Sequence, residues 1–161
     1  MRTLLLIRHA KASHAPMPDI DRPLTEQGQR EAQQLAALLL DLDDRPQLLL
    51  ASAALRATQT ATTLAEALQA PLRLDESLYG ASVERLFDAC RALPDDALRV
   101  ALVGHNPGLS RFAENLTGRE VHLATAECAV VRCPVERWTD LDACAGACEL
   151  AALLRPQSMD G

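Results

Sequence analysis

Aromatic side chains are nearly missing from this sequence: two Phe, one Tyr and one Trp stand among 161 residues. Ala and Leu supply most of the apolar share, so helices can pack on a sheet closely and smoothly. Lysine is scarcer still, because Lys11 stands alone and Arg supplies the rest of the 16 cations. Those arginines are scattered and the net charge is −6, which argues against nucleic acid as a partner, since binding a phosphate backbone needs a basic face. Long apolar runs are also lacking. The stretch Leu4–Ile7 is too short for a signal-peptide core or a membrane span and ends at Arg8, so a cytoplasmic protein without a leader is expected. The five cysteines (Cys90, Cys128, Cys133, Cys144, Cys148) are odd in number and form no C-x-x-C pair, which points to reduced thiols rather than a zinc ribbon. No internal repeat or low-complexity segment is present.

What remains has the balance of a soluble globular protein, 48% apolar and 24% charged. A chain of this length fits one domain, expected over residues 1–154, followed by a flexible tail at 155–161. Residues 2–7, 47–51, 72–74 and 98–103 read as short buried strands. Between them lie helical patterns entered at Thr25, Ser52 and Ser82, and a further one follows residue 103, with Asn106 as N-cap and Pro107 at the first helical position. Strands that alternate with helices call for βαβ units and a parallel sheet covered on both faces. The last forty residues break the rhythm, with "ECAVVRC" and "CELAALL" predicted as two strands joined by a turn around "DACAGA", an antiparallel edge addition. The expected fold is α/β, a three-layer α/β/α sandwich with a mainly parallel central sheet and an antiparallel edge.

In such sheets ligands bind outside the carboxyl ends of the strands, where the amides of the following helices also point. Strand one ends in Arg8 and His9, strand two in Ser52 with Arg56 in the next helical turn, and strand four in Gly104, His105 and Asn106. Two arginines and two histidines therefore face one crevice. Guanidinium forks match phosphate oxygens, and a neutral imidazole is a competent nucleophile toward phosphorus. Nothing in this pattern calls for a metal or any other cofactor.

These junctions, in order, carry a resemblance. "LIRHAKA", "RPLTEQGQREA", "ASAALRATQTA" and "LVGHNPG" resemble the histidine phosphatase superfamily, with its phosphoglycerate mutase-like fold, and in particular its short phosphohistidine phosphatases of the SixA type. The resemblance implies that His9 attacks phosphorus and becomes a phosphohistidine, while Arg8, Arg56 and His105 hold the phosphoryl oxygens. Ser52 and Asn106 are helix caps first and can also line the pocket rim. Relatives acting on phosphomonoesters are similar around E-x-x-Y-G, here Glu76 to Gly80, which implies Glu76 as general acid.

Other candidates have plainer readings. Lys11 and His14 are solvated loop residues or mobile rim contacts, and His122 is at the surface. Trp138, Cys144 and Cys148 pack the edge strands, and Arg22 is a helix-entry salt-bridge partner or else a pocket-side cation. His105 follows Glu76 by 29 positions, which leaves no room for the lid of larger relatives. An open crevice favours a phosphohistidine on a protein over a small metabolite. The alternatives are a small-molecule phosphomonoesterase of the same superfamily and a non-catalytic phosphate- or phosphoprotein-binding module. A metallohydrolase built on His9, His14 and His105 lacks the carboxylates it would need.

Overall fold

The computed structural model describes residues 1–156, so the tail expected at 155–161 falls almost wholly outside the described residues. Six strands form one sheet: β1 (Arg2–Arg8), β2 (Leu48–Ser52), β3 (Leu72–Asp75), β4 (Arg99–Gly104), β5 (Cys128–Cys133) and β6 (Glu149–Leu154). Their order is β3-β2-β4-β1-β5-β6. β3, β2, β4 and β1 run parallel, β5 is antiparallel to β1, and β6 is antiparallel to β5. Four α-helices cover the sheet among the described residues: α1 (Glu26–Leu40), α2 (Leu55–Leu68), α3 (Val83–Arg91) and α4 (Gly108–Thr117).

The apolar opening strand explains the layering. Leu4 and Leu6 join the core beneath α3 and α4. Leu5 and Ile7 join the one beneath α1 and α2. All four are 0% exposed, as a strand buried on both faces requires. Neighbouring strands repeat this alternation, Leu48 and Leu50 facing one core and Leu49 and Ala51 the other. A three-layer α/β/α sandwich is the result.

Some boundaries differ from expectation. β2 continues through Ser52, which still pairs with Asp75, so α2 begins at Leu55 with Ala54 rather than Ser52 at its N-cap. The Ser52 Oγ instead accepts from the Ala54 N–H at 3.2 Å. α4 likewise starts at Gly108 with Pro107 as its cap, not Asn106. The Asn106 carboxamide donates to the Leu123 carbonyl at 2.7 Å while its oxygen accepts from the Ser110 N–H and hydroxyl. Thr25 and Ser82 do cap α1 and α3, accepting from Gly28 and Arg85. The link between β5 and β6 is no bare turn but holds a 3-10 helix, Trp138–Cys144. Its Trp138 is fully buried and donates its indole N–H to the Ala97 carbonyl at 2.8 Å.

Two close approaches bring loops onto helices. A Cβ on Gly28 would lie 2.1 Å from the Lys11 carbonyl oxygen, and one on Gly108 would lie 2.2 Å from that of Ala81. Glycine is thus required where α1 meets the loop after β1, and where α4 meets the loop after β3. All five cysteines are free and buried. No helix among the described residues is long and apolar enough to cross a membrane.

Candidate active site

The parallel strands end together, and the chain leaves each of them on the same side of the sheet. His9 follows β1 and donates its backbone N–H to the carbonyl of Gly104, the last residue of β4, at 3.0 Å. That bond carries His105 to the same place. The rings of His9 and His105 lie 5.2 Å apart between centroids, tilted by 56°.

His9 is 8% exposed, and both its ring nitrogens have partners. Nδ1 sits 2.8 Å from the Ala10 carbonyl, to which it can only donate. Nε2 lies 3.3 Å from the Arg56 Nε, from which it can only accept. The proton therefore resides on Nδ1 and the lone pair on Nε2. Burial first, and then Arg56, Arg8 and Arg22, lower the His9 pKa to about 4 against the opposing bond to Ala10. His105 is lowered to about 4 as well, by burial and then by the charges of His9 and Arg56.

His105 Nε2 meets the Ser52 hydroxyl at 2.8 Å. Ser52 is fully buried, so it supports this ring from behind rather than lining the rim. Two buried polar atoms of the site, Arg8 Nε and His105 Nδ1, have no partner. Arg8 is otherwise anchored by donating Nη1 to the Leu123 carbonyl at 3.2 Å, the same oxygen that holds Asn106.

Residues 4–86 match the Histidine phosphatase superfamily (branch 1). The chain belongs to that superfamily. An uncharacterised protein of Mycobacterium leprae is 32% identical to it over 70% of this chain and 71% of that protein. Two solved structures have the same fold. One, from Nakamurella multipartitia, is described as a candidate phosphohistidine phosphatase SixA; it is 29% identical, with a TM-score of 0.86, over 98% of this chain and 97% of its own. The other, a SixA candidate from Agrobacterium tumefaciens, is 28% identical, with a TM-score of 0.82, over 96% and 98% of the two chains.

Around the histidine phosphatase cluster stand residues that the sequence did not single out. Asp19, in a 3-10 helix (Asp19–Asp21) of the loop after β1, accepts from Arg56 twice, through its carbonyl at 2.7 Å and its Oδ2 at 3.0 Å. The Tyr79 hydroxyl donates to the same Oδ2 at 2.5 Å. Arg22 Nε donates to Oδ1 at 3.0 Å, so Arg22 is tied to the cluster rather than to the helix entry alone. The Tyr79 ring also stands edge-on to His105, with centroids 5.5 Å apart. The sign of charge was the available clue: a group of arginines at one sheet edge calls for a carboxylate, and "DIDR" supplies acids in the adjoining loop.

Glu76 heads the 3-10 helix after β3 (Glu76–Leu78), is exposed, and its carboxylate has no hydrogen-bond or ion-pair partner among the described residues. The same turn reaches the cluster through Tyr79. Lys11, His14 and His122 are exposed, with Lys11 held by Gln27 at 3.2 Å. Trp138, Cys144 and Cys148 lie in the core. No group of three or more His, Cys, Asp or Glu among the described residues could hold a metal ion.

The two lowered histidines give this histidine phosphatase a defined pH response. An imidazole that titrates near 4 when folded and near its ordinary 6.5 when unfolded makes the unfolded chain bind more protons between those values. Stability from this source is complete above about 6.5 and is lost as pH falls toward 4. The acid limb of kcat/KM should lie near pH 4 to 5, below the onset of destabilisation seen in urea midpoints. An acid limb centred at the ordinary imidazole value would contradict this geometry.

Proposed function

We propose that this chain is a phosphatase that removes a phosphoryl group through a phosphohistidine formed on His9, and that it takes the group from phosphohistidine on a protein. One observation supports this most directly: His9 is held by the Ala10 carbonyl with its Nε2 lone pair turned toward a guanidinium. A phosphoryl group arriving on Arg56 would meet that lone pair, and the oriented ring spares the entropy of aligning the two.

In the first step Nε2 forms a bond to phosphorus while the bond from phosphorus to the leaving atom breaks, its electron pair departing with that atom. Arg8, Arg56 and His105 hold the three peripheral oxygens. In the second step water forms a bond to phosphorus and the pair returns to Nε2. The released proton goes to phosphate or solvent. This chemistry uses side chains alone.

The preference for a protein substrate rests on access. Between the turn after β3 and His105 the chain builds α3 and β4 and no covering segment. The names of the two SixA candidates above support the same preference. To test it, purified protein is offered a phosphohistidine-bearing phosphocarrier and a panel of sugar phosphates at equal concentration. Faster release from the phosphocarrier is expected; a strong preference for a sugar phosphate would overturn the substrate class.

A further inference from the structure

The Asp19 carboxylate stands one guanidinium away from the nucleophile. Arg56 joins the two, with Nε on His9 Nε2 at 3.3 Å and Nη2 on Asp19 Oδ2 at 3.0 Å. Three side-chain donors reach this carboxylate: Arg56 and Tyr79 on Oδ2, and Arg22 on Oδ1. A carboxylate offers about four acceptor positions. The Asp19 side chain is 51% exposed, so the carboxylate keeps room for a further donor from solvent or substrate.

We propose that Asp19 is the leaving-group subsite, an immobilised anion that selects substrates in which phosphorus is bonded to a protonatable ring nitrogen over substrates in which it is bonded to oxygen. This rests on the phosphatase reading above and adds to it the residue that sets the class of bond broken.

The charge on Asp19 is fixed by its surroundings. The Tyr79 hydrogen bond first, and Arg56 next, hold its carboxyl well below the usual carboxylate range. It cannot donate a proton to a departing oxygen; toward a leaving group that gathers negative charge it is repulsive. Toward an N-phosphoimidazolium it is attractive. There the ring nitrogen remote from phosphorus carries an N–H and the ring a positive charge. When the N–P bond breaks, its electron pair returns to the ring and a neutral imidazole leaves with that N–H still in place, so no proton donor is needed. Asp19 Oδ1 accepts the N–H throughout. Tyr79 and Arg22 keep the carboxylate from swinging away when the phosphoryl group draws Arg56 toward itself.

The experiment compares kcat/KM on N-phosphoimidazole and on p-nitrophenyl phosphate for wild type and Asp19→Asn, which keeps an acceptor oxygen and removes the charge. Loosening of Arg56 would slow both substrates and cancels in their ratio. A charge-assisted hydrogen bond exceeds a neutral one by enough to lower the N-phosphoimidazole to p-nitrophenyl phosphate ratio about tenfold. A fall of threefold or more supports the subsite. A smaller change, or a wild type that prefers the ester, overturns it. A wild type that turns over neither probe and acquires no acid-labile phosphoryl group overturns the phosphatase reading itself. Labelled His9 with an unmoved ratio overturns only the role of Asp19.

Discussion

His9→Ala is expected to abolish turnover, by on the order of 10⁴-fold or more, as loss of a nucleophile that acts as a unit with its neighbours does. The variant should also fail to take up an acid-labile phosphoryl group. The backbone bond from residue 9 to Gly104 does not involve the side chain, and the imidazole follows the carboxyl end of β1. The fold should therefore persist. Arg8, Arg56 and His105 remain, so phosphate should still bind, and the loss should fall on kcat rather than on KM. Turnover within tenfold of wild type would remove the covalent mechanism, and retained labelling would place the phosphoryl group on another residue.

Arg56→Ala is expected to lower kcat/KM by roughly 10²- to 10³-fold, the usual cost of removing one preorganised donor from a developing anion. Arg56 is 6% exposed and serves His9, the Asp19 backbone and the Asp19 carboxylate at once. Only a planar fork reaches three partners in this way. Arg56→Lys keeps the charge but loses that geometry, and should recover less than tenfold of the loss. Both variants are read by steady-state kinetics with inorganic phosphate as a competing ligand, whose inhibition should weaken in parallel. A loss of less than threefold for the alanine variant would show that the fork is not engaged with the substrate.

The parts of this molecule legible in its sequence are those governed by periodicity. Leu4–Ile7 reads as a doubly buried strand because four consecutive apolar residues leave no polar face, and the two cores divide them in alternation. Arg8, His9, Arg56 and His105 are legible as neighbours because each lies within a few residues of a strand end, where register leaves little freedom. Glu76 directly follows β3 and opens a 3-10 turn. Which residue of a turn meets its neighbours depends on dihedral angles, and here Tyr79 meets Asp19 and His105. Asp19 lies eleven residues beyond β1, in a loop that no periodicity describes. Its position depends on a salt bridge to Arg56, 37 residues away, and beyond the sign of its charge a pairing of that kind leaves no mark on local sequence. Ser52 is not the cap of α2 because β2 continues through it, and Asn106 stands one residue before the cap of α4 while its carboxamide still accepts from Ser110 in the first turn.

β1 is made first yet sits in the interior of the sheet, between β4 and β5. A nascent chain must reach Gly104 before one edge of this strand is covered, and Cys133 before the other is. Until then an apolar ribbon carries unpaired amides and carbonyls on both sides, the condition under which strands associate with the wrong neighbours. Fragments that stop short of β5 should therefore aggregate rather than assemble.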